Sequence, residues 1–532
     1  MNLLTNKEKG FEKRLSLLNT SDTSSDLLAG IICLLFAIYY WSFSNISEGF
    51  YQHDEVGHYF QILDFWNSPM RYLLDMWSRG GYKMLYSIPG LFGRNTIVLT
   101  NIFFAAGSCW LTYLIAKKYE LKYAWMTVVF LGTQPLFLQL SFRCFAEIPT
   151  MFFTTLSIYL YLNNRYLATA LLVSFLFTLR QEMAVFALLL GTVFLFQKKW
   201  IPFLLLGIAP LLLNFLGWMK LGDPLFILHM MKQGGMEEGY RRNGFYYLWL
   251  MLPEISGVIV FYFFLTAAFS LLLSKNIVLL LKKYITIIVV FGVYFIMHCI
   301  LTSEFMGVGR SGGLARFLLV VTPIISIVAV GGLNFLLSKS RMISHKIVVS
   351  ALSFIALILV YVFYDTIMPL VFNGYQVLTY KTENTLVLGI VVVFSLLLAF
   401  LPKIKTPIIF VIAFISIIYS ILYVKPMPTF TEDLLSRKAS NWIKENDKST
   451  SAIYCNHVLI KYFYMKDGGD FNSIQNFDSS TVINAKRGDI FISENHYSRN
   501  FNVMLFNFQQ FGIVNAFESG DYPFKVFIVV KR

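Results

Sequence analysis

Apolar runs about as long as a helix needs to cross a bilayer's hydrocarbon core recur along this chain, separated by short polar breaks. About thirteen such stretches lie near 27–44, 96–116, 123–142, 148–162, 168–179, 183–196, 201–218, 251–273, 285–301, 316–337, 347–370, 386–401 and 408–424. The fourth to sixth are short and close together, as tilted or broken helices would be. Two longer stretches interrupt the rhythm, 45–95 and 425–532. The second begins with a change of composition at Lys425-Pro-Met-Pro428. A polar helical pattern follows over Glu432–Asn446, then strand-like runs at Ser451–Phe463, Asp489–Ser493 and Phe524–Val530. The expected fold is therefore an α-helical polytopic membrane protein with a small C-terminal α/β domain. Its divisions are a leading segment 1–26, a membrane domain 27–424 and a tail domain 425–532. No internal repeat or low-complexity tract stands out.

Lysine and arginine in short loops set orientation. With the N-terminus inside, six later inner loops (117–122, 163–167, 197–200, 274–284, 338–346 and 402–407) carry 14 bases and one acid, Glu120. The opposite loops are several times longer and hold most of the acids. An odd number of spans then places both 45–95 and the tail outside the cytoplasm. The first span follows residues that balance in charge and precedes no small-residue cleavage site, so it reads as a signal anchor. Thr20–Asp26 supplies possible N-cap oxygens for it.

Composition agrees: 57% of residues are hydrophobic and 14% charged. That is too apolar for a disordered chain and too poor in charge for a soluble multidomain enzyme. The formal net charge of +14 would suit a nucleic-acid binder. Nearly all of it sits in the six inner loops, so it reports topology and an anionic membrane surface, and no nucleic-acid partner is expected. Five scattered cysteines give neither a disulfide framework nor a metal site.

Chemistry concentrates in the loops on the outer side. Tyr51-Gln-His-Asp-Glu-Val-Gly-His-Tyr-Phe60 gathers His53, Asp54, Glu55 and His58 just after a membrane helix. Carboxylates at a lipid–water boundary suit a reaction between a lipid-carried group and a water-facing acceptor; a solvated loop with incidental acids is the alternative. His53 and His58 are potential metal ligands, but His-Asp-Glu-x-x-His lacks the His-Glu-x-x-His spacing of a zinc protease. Farther on, Arg79 and Lys83 can meet an anionic head group, Gly80 and Gly81 allowing close backbone approach, or they can snorkel at the interface. Arg143 with Glu147, and Arg180 with Glu182, lie between spans. These are either structural ion pairs, Arg143–Glu147 at i,i+4, or functional charges at the membrane edge. Glu304–Arg316 carries four glycines with Arg310 and Arg316, a pattern that can wrap a phosphate or act as a hinge. It lacks the Gly-Lys-Ser/Thr of a P-loop.

The arrangement resembles the GT-C glycosyltransferases, which include the protein O-mannosyltransferases, the lipid A aminoarabinose transferase and mannosyltransferases using dolichyl-phosphate mannose. His53-Asp-Glu-Val-Gly-His-Tyr59 is similar to their Asp-Glu loop motif. Trp77–Gly93 resembles their second loop motif, and Ala315-Arg-Phe-Leu-Leu-Val-Val-Thr-Pro323 resembles a segment of their late spans. Lys83-Met-Leu departs from the Lys-Pro-Pro of some members, Phe317 stands where Tyr is common, and no Trp-Trp-Asp-Tyr-Gly motif is present, which argues against an oligosaccharyltransferase.

The resemblance implies inverting transfer of a single sugar from a polyprenyl-phosphate sugar to a hydroxyl on a glycan, lipid or protein. Asp54 is the expected base, with Glu55 second or orienting it. Lys83, Arg316 and Arg310, in that order, are expected at the donor phosphate. His53, His58, Arg79, Arg143, Glu147, Arg180 and Glu182 are further substrate-binding candidates. No catalytic metal or other cofactor is expected; the Lys-, Phe-, Ile- and Asn-rich usage points separately to a bacterium, and so to its cytoplasmic membrane. Competing readings are a transporter or flippase, disfavoured by the lack of repeats, an O-antigen-type polymerase or ligase, and a sensor.

Overall fold

The computed structural model of the chain describes residues 22–46, 53–75, 79–234, 244–272, 274, 277–302, 314–337, 343–362, 381–401, 404–424, 431–446, 451–470, 473–495, 506, 510–519 and 522–532. Its first helices are α1 (Asp22–Ile46), α2 (His53–Leu63), α3 (Pro69–Leu74), α4 (Gly80–Leu91), α5 (Arg94–Lys118), α6 (Met126–Gly132), α7 (Pro135–Leu140), α8 (Glu147–Leu162) and α9 (Tyr166–Leu179). Next come α10 (Ala184–Phe196), α11 (Trp200–Leu205), α12 (Ile208–Leu221), α13 (Phe226–Gly234), α14 (Tyr247–Ser256), α15 (Val258–Leu272) and α16 (Ile277–Thr302). The last of the apolar helices are α17 (Thr322–Leu336), α18 (Ile343–Val362), α19 (Lys381–Phe400) and α20 (Lys405–Tyr423). Each of the thirteen apolar stretches carries helix.

Among the described residues, six helices are long and apolar enough to cross a membrane alone, and the pair α14–α15 makes a seventh if it is one span. The chain is an integral membrane protein. Among the described residues several of the thirteen stretches are short, and two are divided at residues whose backbone chemistry demands it. Pro135 has no N–H to continue a helix and holds Gln134 extended, with ψ 130°. The Gln134 side-chain amide donates to the Thr322 carbonyl (3.3 Å) and to Ser326 Oγ (2.7 Å), pinning the break to α17. At Gly257, φ is +74° and the chain bends by 119° between α14 and α15. A Cβ on Gly257 would lie 3.1 Å from Pro135 Cδ. The two breaks therefore pack on each other, and glycine meets both the φ and the contact. A third irregular segment, the 3₁₀ turn Ala315–Val321, opens the tenth stretch, and its Phe317 carbonyl accepts the Tyr294 hydroxyl at 2.9 Å. In lipid such backbone groups must be met inside the protein.

The chain divides into two compact units: Met1–Ile46 with Phe65–Pro426, and Ser47–Asp64 with Met427–Arg532. The helix α2 thus clusters with the tail. In that second unit α21 (Thr431–Asn446) and α22 (Val458–Lys466) pack on a five-stranded sheet. The strands are β1 (Ile453–Cys455), β2 (Ile474–Gln475), β3 (Ile490–Glu494), β4 (Phe511–Ser519) and β5 (Tyr522–Lys531), in the order β2-β1-β3-β5-β4. β1 runs parallel to β2 and β3, and β5 runs antiparallel to β3 and β4. Leu435, Ala439 and Ile443 of α21 and Ile460 of α22 meet Ile453, Ile492, Val526 and Ile528 of the sheet. The tail helix at 432–446 and the strands at 489–493 and 524–530 form as expected. The expected strand over Ser451–Phe463 is a correction: three residues are strand, and from Val458 the chain is helical. Val458-Leu-Ile-Lys-Tyr-Phe-Tyr464 is a short, nearly continuous apolar run, whose periodicity does not separate strand from helix.

Candidate active site

The first unit builds a charged centre from four loops and helix ends. Arg79 adopts φ +54° at the N-cap of α4, and its carbonyl accepts the amides of Tyr82 (2.8 Å) and Lys83 (3.3 Å). A left-handed arginine is strained and persists only where its surroundings over-determine it. Those surroundings are tight. A Cβ at Gly80 would lie 2.7 Å from the Leu73 backbone, and one at Gly81 would lie 1.8 Å from Thr178 Oγ1. Gly80 therefore seats α4 against α3, and Gly81 seats it against the C-terminal end of α9, two residues from Arg180. Lys83 is fully buried, with its ammonium 4.8 Å from the Tyr82 ring centroid. Burial first, and then the positive charge of Arg79, hold it well below the usual lysine range, against the opposing pull of Cys144 and Asp75.

Glu147 is the hub. It is fully buried at the first turn of α8. Its carboxylate bonds to Arg180, lies 3.4 Å from Arg316 Nε and 3.9 Å from Arg79 Nη1. Arg180 also bonds to Glu182. Aromatic faces steady the guanidinium planes: Arg180 lies 4.4 Å from the Phe317 ring centroid and Arg316 lies 4.5 Å from that of Phe145. Three arginines and two glutamates leave the cluster net positive. Arg143 sits over Phe145 at 5.5 Å, and its carbonyl accepts the Asn101 amide, which in turn accepts the Tyr86 hydroxyl. The expected i,i+4 pair of Arg143 with Glu147 is replaced by the three-arginine arrangement, because α8 begins only at Glu147 and Arg143 lies in the irregular turn before it. The Arg180–Glu182 pair is present as expected.

An apolar groove runs between α8, α9, α10 and α16, lined by residues that include Thr154, Ser157, Ile158, Leu176, Phe186, Val193 and Val289. At 1.5 Å per residue, its nearest lining residues, Leu176, Phe186 and Thr154, lie roughly 6–10 Å along their helices from Arg180, Glu182 and Glu147. The helices that carry or flank the charges thus also wall this apolar groove.

No family model and no curated protein matches the sequence. Crystal structures of ArnT from Cupriavidus metallidurans, one bound to undecaprenyl phosphate and one in the apo state, superpose with TM-scores of 0.57 and 0.53. Both are 11% identical to this chain, and the match covers 94% of it and 97% of ArnT. The fold is the one these ArnT structures show.

On this fold the expected residues lie in two sets. Arg79, Lys83, Arg143, Glu147, Arg180, Glu182 and Arg316 all belong to the first unit, and the charge cluster joins Arg79, Glu147, Arg180, Glu182 and Arg316. His53, Asp54, Glu55 and His58 belong to α2 in the second unit. Glu55 is fully buried and His58 nearly so, whereas Asp54 is partly exposed. Both acids occupy the first turn of α2, where the helix dipole favours negative charge. Arg310 lies outside the described residues. Sequence reasoning missed His298, buried in α16 with its ring 4.5 Å from that of Tyr294 and 5.7 Å from that of Phe317. The signal for it was a single histidine inside a 26-residue apolar helix.

Proposed function

We propose that the protein is a membrane glycosyltransferase. It moves one sugar from a polyprenyl-phosphate sugar to an acceptor hydroxyl on the extracytoplasmic side, with inversion. Its setting in this reading is a bacterial cytoplasmic membrane, with the N-terminus inside and the tail domain outside. The observation that carries the proposal is the pairing, on one set of helices, of a net-cationic cluster with an apolar groove. Such a pair suits a phosphate head on a long hydrocarbon chain. The ArnT structure with undecaprenyl phosphate shows that a protein of this fold holds such a lipid.

The chemistry follows from charge. The acceptor oxygen attacks the anomeric carbon as the bond from that carbon to the phosphate oxygen breaks. The acceptor's proton passes to a carboxylate, and the bonding pair leaves on the polyprenyl phosphate. Asp54, water-accessible on α2, is the proposed base, and the buried Glu55 beside it orients the helix turn. The leaving phosphate gains negative charge, which Arg316, Arg180 and Arg79 around Glu147, together with Lys83, neutralise. The transfer step in this reading uses no metal. The sugar is a hexose or pentose, and the acceptor a glycan, lipid or protein.

The test is Asp54→Asn in lipid nanodiscs. Undecaprenyl-phosphate binding should stay within a factor of two of wild type while sugar transfer falls by about 10²–10⁴-fold, the usual cost of losing a general base. Transfer at wild-type rate by Asp54→Asn would remove Asp54 from the chemistry.

A further inference from the structure

The second unit holds a set of side chains that sugar transfer does not use. His53 begins α2, Glu432 lies in the first turn of α21, and His457 caps α22. Glu432 Oε1 lies 2.9 Å from His457 Nε2 and 3.5 Å from His53 Nε2. The two imidazole centroids are 5.6 Å apart and nearly perpendicular. His457 is fully buried, the Glu432 side chain is 8% exposed and that of His53 is 26% exposed. We propose that these three residues bind a zinc-class divalent metal ion, which fastens the start of α2 to the tail domain.

Three arguments support the site. The first is geometric. One ligating atom from each residue lies within 4.8 Å of the other two, so a single point exists within about 2.8 Å of all three. Side-chain adjustments of well under an ångström bring them to the 2.0–2.2 Å of zinc–imidazole and zinc–carboxylate bonds. In a tetrahedral site adjacent donors stand about 3.3 Å apart, close to the separations of Glu432 Oε1 from the two imidazole nitrogens. The second is chemical. Two imidazoles and one carboxylate select a borderline transition metal over calcium or magnesium, which prefer oxygen donors. A water molecule would supply the fourth ligand of a tetrahedral zinc. The third is positional. The donors come from segments remote in sequence, and each sits at a helix start, where the backbone is fixed. His58, the other histidine of the loop motif, is five residues along α2 from His53, about 140° around the helix, so the local pair cannot chelate. The ligands that complete the site are in the tail.

Metal binding does not depend on the transferase reading. If Asp54 is the base, the ion next to it in sequence is a positioning element, since it fixes the helix turn that carries the carboxylate. No step of the transfer passes through it.

The experiment uses the full chain in detergent or nanodiscs, purified without a polyhistidine tag. It is stripped with EDTA, loaded with zinc, desalted and assayed for metal by mass spectrometry. The expected result is one zinc per chain. Cobalt(II) loading should give the visible absorption bands of a four-coordinate site. His53→Ala and Glu432→Ala should lower zinc affinity at least 100-fold, and His457→Cys, which keeps a zinc ligand, should retain the ion. EDTA should lower the melting temperature of wild type and leave His53→Ala unmoved. Fewer than about 0.1 zinc per wild-type chain, or full zinc content in a folded His53→Ala, would overturn the proposal. Either would leave a triad held by hydrogen bonds alone. Transfer activity enters none of these readouts, so failure here and failure of the transferase assignment are separate results.

Discussion

Replacing Glu147 by glutamine removes one negative charge from between three guanidinium groups and changes almost nothing else in volume. At an effective dielectric of about 20, an ion pair at the 3.4 and 3.9 Å of Arg316 and Arg79 attracts by about 4–5 kcal/mol before desolvation is counted. Stripping one partner from a buried ion pair costs about 3–5 kcal/mol net. Arg180 keeps Glu182, and Arg79 is 22% exposed, so the lower end of that range applies. The lipid-free variant should therefore unfold at a clearly lower temperature than wild type. The same deletion should help an anionic ligand, because the cluster gains a net positive charge. Undecaprenyl phosphate should bind Glu147→Gln about tenfold more tightly, equivalent to about 1.4 kcal/mol, and should raise its melting temperature more than it raises that of wild type. The assay is thermal unfolding in nanodiscs with and without the lipid, with the uncharged alcohol undecaprenol as control. A variant as stable as wild type would refute the hub role of Glu147. A variant that is destabilised yet gains no more from the phosphate than from the alcohol would show that the arginines serve structure alone.

Three further outcomes follow from the same geometry. Lys83 is held below the usual lysine range, so undecaprenyl-phosphate affinity should fall as pH rises through a value below about 10.4. The linkage has the opposite sign for folding, since a depressed lysine favours the folded state increasingly as pH rises from its folded to its unfolded value. Binding isotherms from pH 6 to 10 check this, and Lys83→Met should bind more weakly at neutral pH and lose that part of the pH dependence; an identical profile in both proteins would clear Lys83 of phosphate contact. Gly81→Ala puts a methyl group into Thr178 and should cost about 1–3 kcal/mol of stability, seen as a lower melting temperature, and an unchanged melting temperature would mean that α4 does not seat against α9. Ser157→Phe fills the apolar groove and should weaken undecaprenyl-phosphate binding more than binding of a short-chain prenyl phosphate; equal losses would place the chain elsewhere.

The spans were legible because each is a run of apolar letters, and lipid permits little else. Their interruptions were less so. Pro135 and Gly257 stand in plain view, but only the folded chain brings one break against the other. The same limit governs the sites. Arg79, Glu147, Arg180, Glu182 and Arg316 were each visible as charges at a membrane edge, yet spacing paired Glu147 with Arg143. The actual partners come from other loops, selected by where α8 starts. His53 was visible only as a potential metal ligand, with no metal expected, because Glu432 and His457 beside it lie in a domain whose sequence gives no spacing cue toward it. In the tail, Val458–Tyr464 shows how a short apolar run leaves strand and helix undecided until α21 offers a surface to pack against.

The claim that this chain transfers sugars is tested most directly by incubating the purified protein, in liposomes, with polyprenyl phosphate bearing a radiolabelled sugar and a cell-envelope acceptor fraction. Release of free polyprenyl phosphate in equal amount to label joined to acceptor, with inverted anomeric configuration, is the predicted result. Label that crosses the bilayer still bound to an intact donor would contradict the account and identify a transporter.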